Sequence, residues 1–465
     1  MYPSAHPQAI YLRDIFGKSG YVYSDLIALQ MSDTEDVFSL EPIVGRTTQE
    51  SCTFLCCCKV PLYNLVIIFY LAGEVVKDLT TEISLHKGVN RVVINGLMPD
   101  NLYRCEWRKV TLVDDFCCSE NILFEFNVST KSPSMICAVS CDNPDLDISS
   151  SLWKKIANIS PDMCVHLGDN IYGDRVFRRC KSGKIPMVKC SEEYRKIYCK
   201  TWSPWGRLLR NTSHICIPDD HEVCDGYIGK AISSNKKDRD ITDRGALVCS
   251  EFQMNMNKRE EDDYAYMVPI DHDAVAIVIS RVSFGGKTVD EAVIDRIEEF
   301  IMPYDKQIQR LLLFFSFPPL PIAHSRLHTC IFGKWPGGED EILRFYGWCF
   351  SWLRSSANRK IMVVGGDIHM GVDCKIRHPR DNLEFHVYAS GPITNQPTPA
   401  EYSQAKALMA MKTFGIYNVE SKARCKRNFL IINPISMVAH HVYAKDYICP
   451  PLKLTKGVSK LVGII

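Results

Sequence analysis

Several things are scarce or missing in this 465-residue sequence, and each absence excludes a class of protein. Charge of one sign is not in excess: 55 Lys and Arg stand against 54 Asp and Glu, a formal charge of +1. A chain this close to neutral is not held to nucleic acid or a membrane surface by bulk charge, although a local basic patch remains open to it. Long apolar runs are missing too. Leu65–Gly73 and Leu311–Phe315 end well short of the roughly 18–20 residues that a spanning helix needs, and both read as buried strands. The opening Met1-Tyr2-Pro3-Ser4-Ala5-His6-Pro7 has neither a basic segment nor an apolar one, so it does not read as a secretory leader. No Cys-x-x-Cys occurs, which removes zinc ribbons and thioredoxin-type redox motifs. Internal repeats and low-complexity tracts are absent.

Cysteine itself is abundant, with 21 residues, yet too dilute over this length to staple a small secreted fold. Runs such as Cys56-Cys57-Cys58 and Cys117-Cys118 lie in apolar alternation, where the thiol acts as a small hydrophobe. An odd total without an export signal points to reduced thiols and a cytoplasmic location. The length and the 46% hydrophobic content suffice for two or three domains with substantial cores.

Along the chain the rhythm changes once. Residues 1–47 are mixed and carry no assignment. Cys52–Val60, Leu65–Leu71, Thr80–His86, Arg91–Ile94, Tyr103–Leu112 and Leu123–Ser129 are short, β-branched or aromatic, and separated by turn residues. They predict a β-sandwich over 48–132, with Leu97-x-Pro99…Tyr103 resembling the corner of fibronectin type III-like domains. After Lys131-Ser132-Pro133-Ser134 strands alternate with helices: Met135–Val139, a helix over Ile148–Ile159, then Met163–His166. A helix over Glu339–Ser355 precedes the strand Lys360–Val364, and Ser233–Arg244 reads as a charged loop.

Four of the predicted strands end in polar clusters. These are Ser140-Cys141-Asp142-Asn143, Leu167-Gly168-Asp169-Asn170-Ile171-Tyr172, Pro218-Asp219-Asp220-His221-Glu222 and Gly365-Gly366-Asp367-Ile368-His369. Ligands in open α/β sheets gather beyond the carboxyl ends of strands, so the four clusters are expected to converge. Carboxylates gathered without a cation would repel and raise one another's pKa, which metal ions resolve. The mixture of carboxylate, imidazole, thiolate and phenolate suits a dinuclear transition-metal site better than magnesium alone.

The order and spacing of these clusters resemble the PhoD-like branch of the calcineurin-like metallophosphoesterases. Tyr194-Arg195-Lys196-Ile197-Tyr198 and Trp202-Ser203-Pro204-Trp205 before the third cluster, and Val387–Thr394 after the fourth, extend the resemblance over roughly 133–440. It implies an α/β fold, a four-layer α/β/β/α sandwich over 133–450, preceded by the β-sandwich and followed by a tail, 451–465. It also implies hydrolysis of a phosphate ester, monoester or diester, by hydroxide bound to two metals, iron paired with calcium, manganese or zinc. On this resemblance Asp169 bridges the metals and Tyr172 is a phenolate ligand to the first. Cys141 or Asp142 is the ligand from the first cluster. Asp220 binds the second metal, Asp367 and His369 supply one metal each, and His221 donates to the phosphoryl oxygen or leaving group. Asn170, Arg175, Arg178 and Arg179 are assigned to the substrate, a phosphorylated small molecule or lipid.

Two departures from that pattern stand out. Cys224-Asp225-Gly226 follows the third cluster where the family often has Asn, and Val275–Ser280 ends in Ile279-Ser280-Arg281 without the usual acid. They keep a second reading in play: a catalytically idle protein of this fold that serves as a binding or structural module. The basic stretch Arg178–Lys200 favours a third, nucleic-acid binding, which the near-zero net charge ranks lowest. Elsewhere, Phe284-Gly285-Gly286-Lys287-Thr288 lacks the first glycine of a phosphate-binding loop, since position 281 is Arg, and reads as a turn. His324, His328 and Cys330 lack metal spacing, and His440-His441 reads as structural. His166 is expected either to orient Asp169 or to be buried against backbone.

Overall fold

The computed structural model describes residues 37–114, 117–143, 150–229, 235–257, 265–287, 289–321 and 338–444. His324, His328, Cys330, the first 36 residues and the 451–465 tail lie outside these described residues.

The first eight strands are β1 (Phe38–Thr47), β2 (Ser51–Cys58), β3 (Leu62–Leu71), β4 (Glu74–Val75), β5 (Thr81–Leu85), β6 (Gly88–Asn95), β7 (Leu102–Asp114) and β8 (Cys117–Ser129). They form one sheet ordered β1-β2-β6 and another ordered β4-β3-β7-β8, with β5 also on β3. Between them Phe54, Phe69, Trp107, Phe124 and Phe126 are buried with Cys52, Cys56, Cys58 and Cys105. Apolar alternation explains both the strands and the thiols: the cysteines fill the core as small apolar groups. At the corner, the Tyr103 hydroxyl accepts a hydrogen bond from the Met98 amide at 2.9 Å. β1 falls within a segment that the sequence left without assignment.

Two further sheets follow. β9 (Ile136–Val139), β10 (Met163–Leu167) and β11 (Ser213–Ile217) run parallel. The second sheet contains β12 (Ala265–Asp271), β13 (Ala274–Ile279), β14 (Arg310–Phe315), β15 (Lys360–Gly365), β16 (Gly371–Arg377), β17 (Glu384–Ala389), β18 (Thr413–Phe414) and β19 (Tyr417–Arg424). β20 (Asn428–Asn433) and β21 (Val438–Tyr443) return to the first, giving the orders β11-β10-β9-β20-β21 and β12-β13-β14-β15-β17-β16-β19-β18. Val165, Leu167, Ile215 and Ile217 of one sheet pack on Val278, Leu312, Phe314 and Val364 of the other.

Helices cover the outer faces. α1 (Ser150–Ile159), α2 (Asp174–Lys181), α3 (Cys190–Leu208) and α4 (Lys236–Cys249) lie on the five-stranded side. α5 (Glu291–Ile301) and α6 (Glu339–Arg354) lie on the eight-stranded side, which α7 (Pro399–Ala410) also meets through β19. The layers are helix, sheet, sheet, helix. The central strands are buried on both faces, which is why they read as unbroken apolar runs.

One expectation is corrected. Most of Ser233–Arg244 is not loop but the start of α4, capped by the Asn235 side chain, which accepts from the Lys237 amide at 2.9 Å. Its Lys and Asp residues obscure the period, but Ile241, Gly245, Val248 and Cys249 are buried on one face.

Candidate active site

The four polar clusters begin at the carboxyl ends of β9, β10, β11 and β15 and meet there. Three of the chain-reversing residues, Cys141, Asp169 and Asp367, have φ of 59°, 52° and 57°. Left-handed backbone is costly for residues with a Cβ, and such outliers collect at functional sites. Close approach depends on Gly366, where a Cβ would lie 2.3 Å from the Leu167 carbonyl oxygen. Gly168, at φ +93°, would bring a Cβ within 2.6 Å of that of Asp219.

Two donor groups share one carboxylate. Cys141, Asp169 and His369 offer atoms within 4.8 Å of one another, and so do Asp169, Asp219, Asp220 and Asp367. Cys141 Sγ is 3.6 Å from Asp169 Oδ2. The Tyr172 hydroxyl donates to Asp169 Oδ2 at 3.1 Å and lies 3.5 Å from His369 Nε2. Asn395 completes this corner, its amide 3.3 Å from His369 Nε2 and bonded to the Tyr172 hydroxyl. Asp142 is in neither group. Its buried carboxyl interacts with Trp153, Thr394 and His166 instead, and burial pushes it up to about 7 despite those partners.

Electrostatics explain why this arrangement calls for positive charge. Burial pushes the Asp169 carboxyl well up, Asp367, Asp220 and Glu222 push it further, and His221 opposes them. Burial likewise raises the Cys141 thiol and the Tyr172 phenol, with Asp169 adding to both. Asp169 Oδ1 is buried and has no hydrogen-bond partner. A buried carboxylate oxygen left in that state is expensive, so the donor set fits a cation.

Part of that cation is supplied by the chain. Arg281 donates from Nε to Asp219 Oδ1 at 2.5 Å and from Nη2 to Asp220 Oδ1 at 3.0 Å, and lies 3.9 Å from Asp367. It enters at the end of β13, where the acid was missing. The Ser280 hydroxyl there donates to the Pro218 carbonyl at 2.6 Å.

Other residues that sequence reasoning did not single out hold the site from outside. Asp174 Oδ2 is 2.8 Å from His221 Nδ1. Burial opposes charge on that imidazole, yet Asp169, Asp174 and Asp220 together push it up to about 11. Glu401 lies 2.9 Å from His369 Nδ1. Glu222, fully buried, accepts from the amides of Asn170 at 2.7 Å and Asp219 at 2.8 Å, tying the second cluster to the third.

The remaining expected residues are placed differently. Asn170 is buried and its side chain donates to the Ile217 carbonyl at 2.9 Å, away from the open side. Arg175, Arg178 and Arg179 are exposed on α2. His166 neither orients Asp169 nor bonds to backbone: its Nε2 is 3.0 Å from His214 Nδ1. On a strand the side chain three positions before Asp169 points out of the sheet toward the helices, which removes it from the site.

Comparison with known proteins bears on the fold. The PhoD-like phosphatase family model matches residues 136–266, which carry the first three clusters. The structure is similar to that of PhoD, with a TM-score of 0.58 at 12% identity, covering 90% of this chain and 94% of that one. It is also similar to purple acid phosphatase PPD1 from yellow lupin (Lupinus luteus) seeds. There the TM-score is 0.54 at 9% identity, covering 89% of this chain and 77% of the other. No curated protein matches the sequence. The shared property at such identities is the fold.

Proposed function

We propose that this chain is a metal-dependent phosphoester hydrolase acting on a phosphorylated small molecule or lipid. The observation that carries the reading is the buried, unpartnered Asp169 Oδ1, on a carboxylate shared by two donor groups. Cys141, Asp169, Tyr172 and His369 would hold one ion, and Asp169, Asp220 and Asp367 a second. Iron with calcium, manganese or zinc suits this mixture of soft and hard donors. Bound metal would supply Lewis acidity toward the phosphoryl group and make a coordinated water acidic.

The chain's own part is proton placement and orientation. His221 is partly exposed on the open side, and Asp174 on Nδ1 leaves Nε2 to carry a proton toward a phosphoryl oxygen or leaving group. Tyr172 lies against the His221 ring, centroids 4.5 Å apart, and fixes its tilt. Arg175, Arg178 and Arg179, exposed on α2, would attract phosphate charge.

Arg281 favours a second reading. A guanidinium already paired with Asp219 and Asp220 competes with a second ion for those carboxylates, so an idle protein of the same fold would show this pairing. Turnover separates the two. Full-length protein is assayed with a chromogenic phosphodiester and a monoester under iron, manganese, zinc and calcium. Hydrolysis lost in Asp169→Asn and in His221→Ala is the expected result. No turnover under any metal, or unchanged turnover in both variants, sinks the hydrolase.

A further inference from the structure

A separate donor cluster lies on the other side of the strands that present the active site. Along β10, Val165 and Leu167 face the eight-stranded sheet, while Cys164 and His166 face the helices. Parallel register sets Cys164 between Cys137 on β9 and His214 on β11. Cys164 Sγ and ring nitrogens of His166 and His214 lie within 4.8 Å of one another. His166 Nε2 and His214 Nδ1 are 3.0 Å apart. Cys137 is the direct register neighbour of Cys164 on the same face of the sheet.

All of these groups are buried. The Trp205 ring centroid sits 4.7 Å from both imidazoles, and Trp153 covers His166 at 6.0 Å. Two imidazoles placed under tryptophan and leucine side chains lose hydration that hydrophobic residues in the same positions would not lose. Their orientation is specific. His214 Nε2 lies 3.4 Å from the Leu209 carbonyl, which places its proton there and turns the Nδ1 lone pair toward His166 and Cys164.

A thiol and two imidazoles converging in a dry site, with a second thiol on the adjacent strand, match the donor types of structural zinc. Hard cations prefer oxygen ligands, which distinguishes this cluster from the carboxylate-rich active site. We propose that Cys164, His166 and His214, with Cys137 as fourth donor, form a structural zinc site clamping β9, β10 and β11 beneath α1 and α3. The three strands so joined are the ones that end in Cys141, Asp169 and Asp220. The site does not depend on whether the chain hydrolyses phosphoesters.

The test uses the full chain carrying Asp169→Asn and Cys141→Ala, so that the carboxylate shared by both active-site donor groups and the thiol there are removed. Elemental analysis after purification is expected to find about one zinc per chain. Exchange into cobalt(II) is expected to give a thiolate-to-cobalt absorption band. Adding Cys164→Ser should abolish both. A parent protein without zinc and without the cobalt–thiolate band overturns the proposal, as does zinc retained in full after Cys164→Ser. Should Cys164→Ser fail to fold, X-ray absorption at the zinc edge of the parent decides. Mixed sulfur and imidazole coordination supports the site; coordination by oxygen alone or by sulfur alone overturns it.

Discussion

At the residue scale, the site contains side chains that would face substrate and others that orient them. His221 is in the first class and Asp174 in the second, 2.8 Å behind it. His221→Ala is expected to lower kcat by roughly 10²–10⁴-fold, the range for loss of a general acid. Asp174→Asn should lower kcat less, because the imidazole remains but loses its fixed tautomer; parallel steady-state assays would show the order. Glu401 stands in the same relation to His369, 2.9 Å from Nδ1. Glu401→Gln is expected to weaken metal binding by about 10–100-fold, measured by chelator competition, with no loss of folded protein. An equal affinity in the variant would remove Glu401 from the site.

At the scale of elements, the site is made of strand ends, and what brings them together is the absence of side chains. Gly366 lets the end of β15 approach β10, and a Cβ there would lie 2.3 Å from the Leu167 carbonyl oxygen. Backbone cannot swing aside as a flexible side chain does. Gly366→Ala is therefore expected to cost about 1–3 kcal/mol in urea unfolding and to lower activity with it. Helix α4 makes the opposite point about legibility. Its buried face of Ile241, Gly245, Val248 and Cys249 is interrupted by six charged residues between Lys236 and Asp243, so local composition suggested a loop. Contact with α3 decided the helix, through packing that no window of sequence contains.

At the scale of the whole molecule, the N-terminal sheets are not a detached appendage. Leu40, Ile43, Leu55 and Cys57 share a buried cluster with Trp202 and Trp205 of α3. The Ser213 hydroxyl at the head of β11 donates to the Gly45 carbonyl at 3.1 Å and accepts from the Thr47 amide at 3.1 Å. Gly206 lies directly under Ile43, whose Cδ1 would be 2.7 Å from an added Cβ. Gly206→Val is expected to cost about 1–3 kcal/mol by overpacking this joint. Denaturation followed by far-UV dichroism and tryptophan fluorescence would check it; a stability unchanged from wild type would mean the joint yields freely. No helix among the described residues is long and apolar enough to cross a membrane.

The sequence by itself determined the four strands that present the site, their order along the chain and the residues at their ends. Apolar runs of strand length followed by polar clusters are local signals, and the clusters' order carried the family resemblance. It also determined that most of the cysteines are core material: those whose side chains are described are buried and form no disulfide. Only the tertiary structure sets Cys141 and Asp142 apart, because adjacent residues at a strand end point to different sides. That placement sets Cys141 against Asp169 and leaves Asp142 beside His166. It alone brought in Arg281, Asn395, Glu401 and Asp174, whose partners lie dozens to hundreds of positions away in the chain. And it turned His166 from a supporter of Asp169 into part of a second cluster, since strand alternation assigns successive side chains to opposite faces but does not say what waits on either.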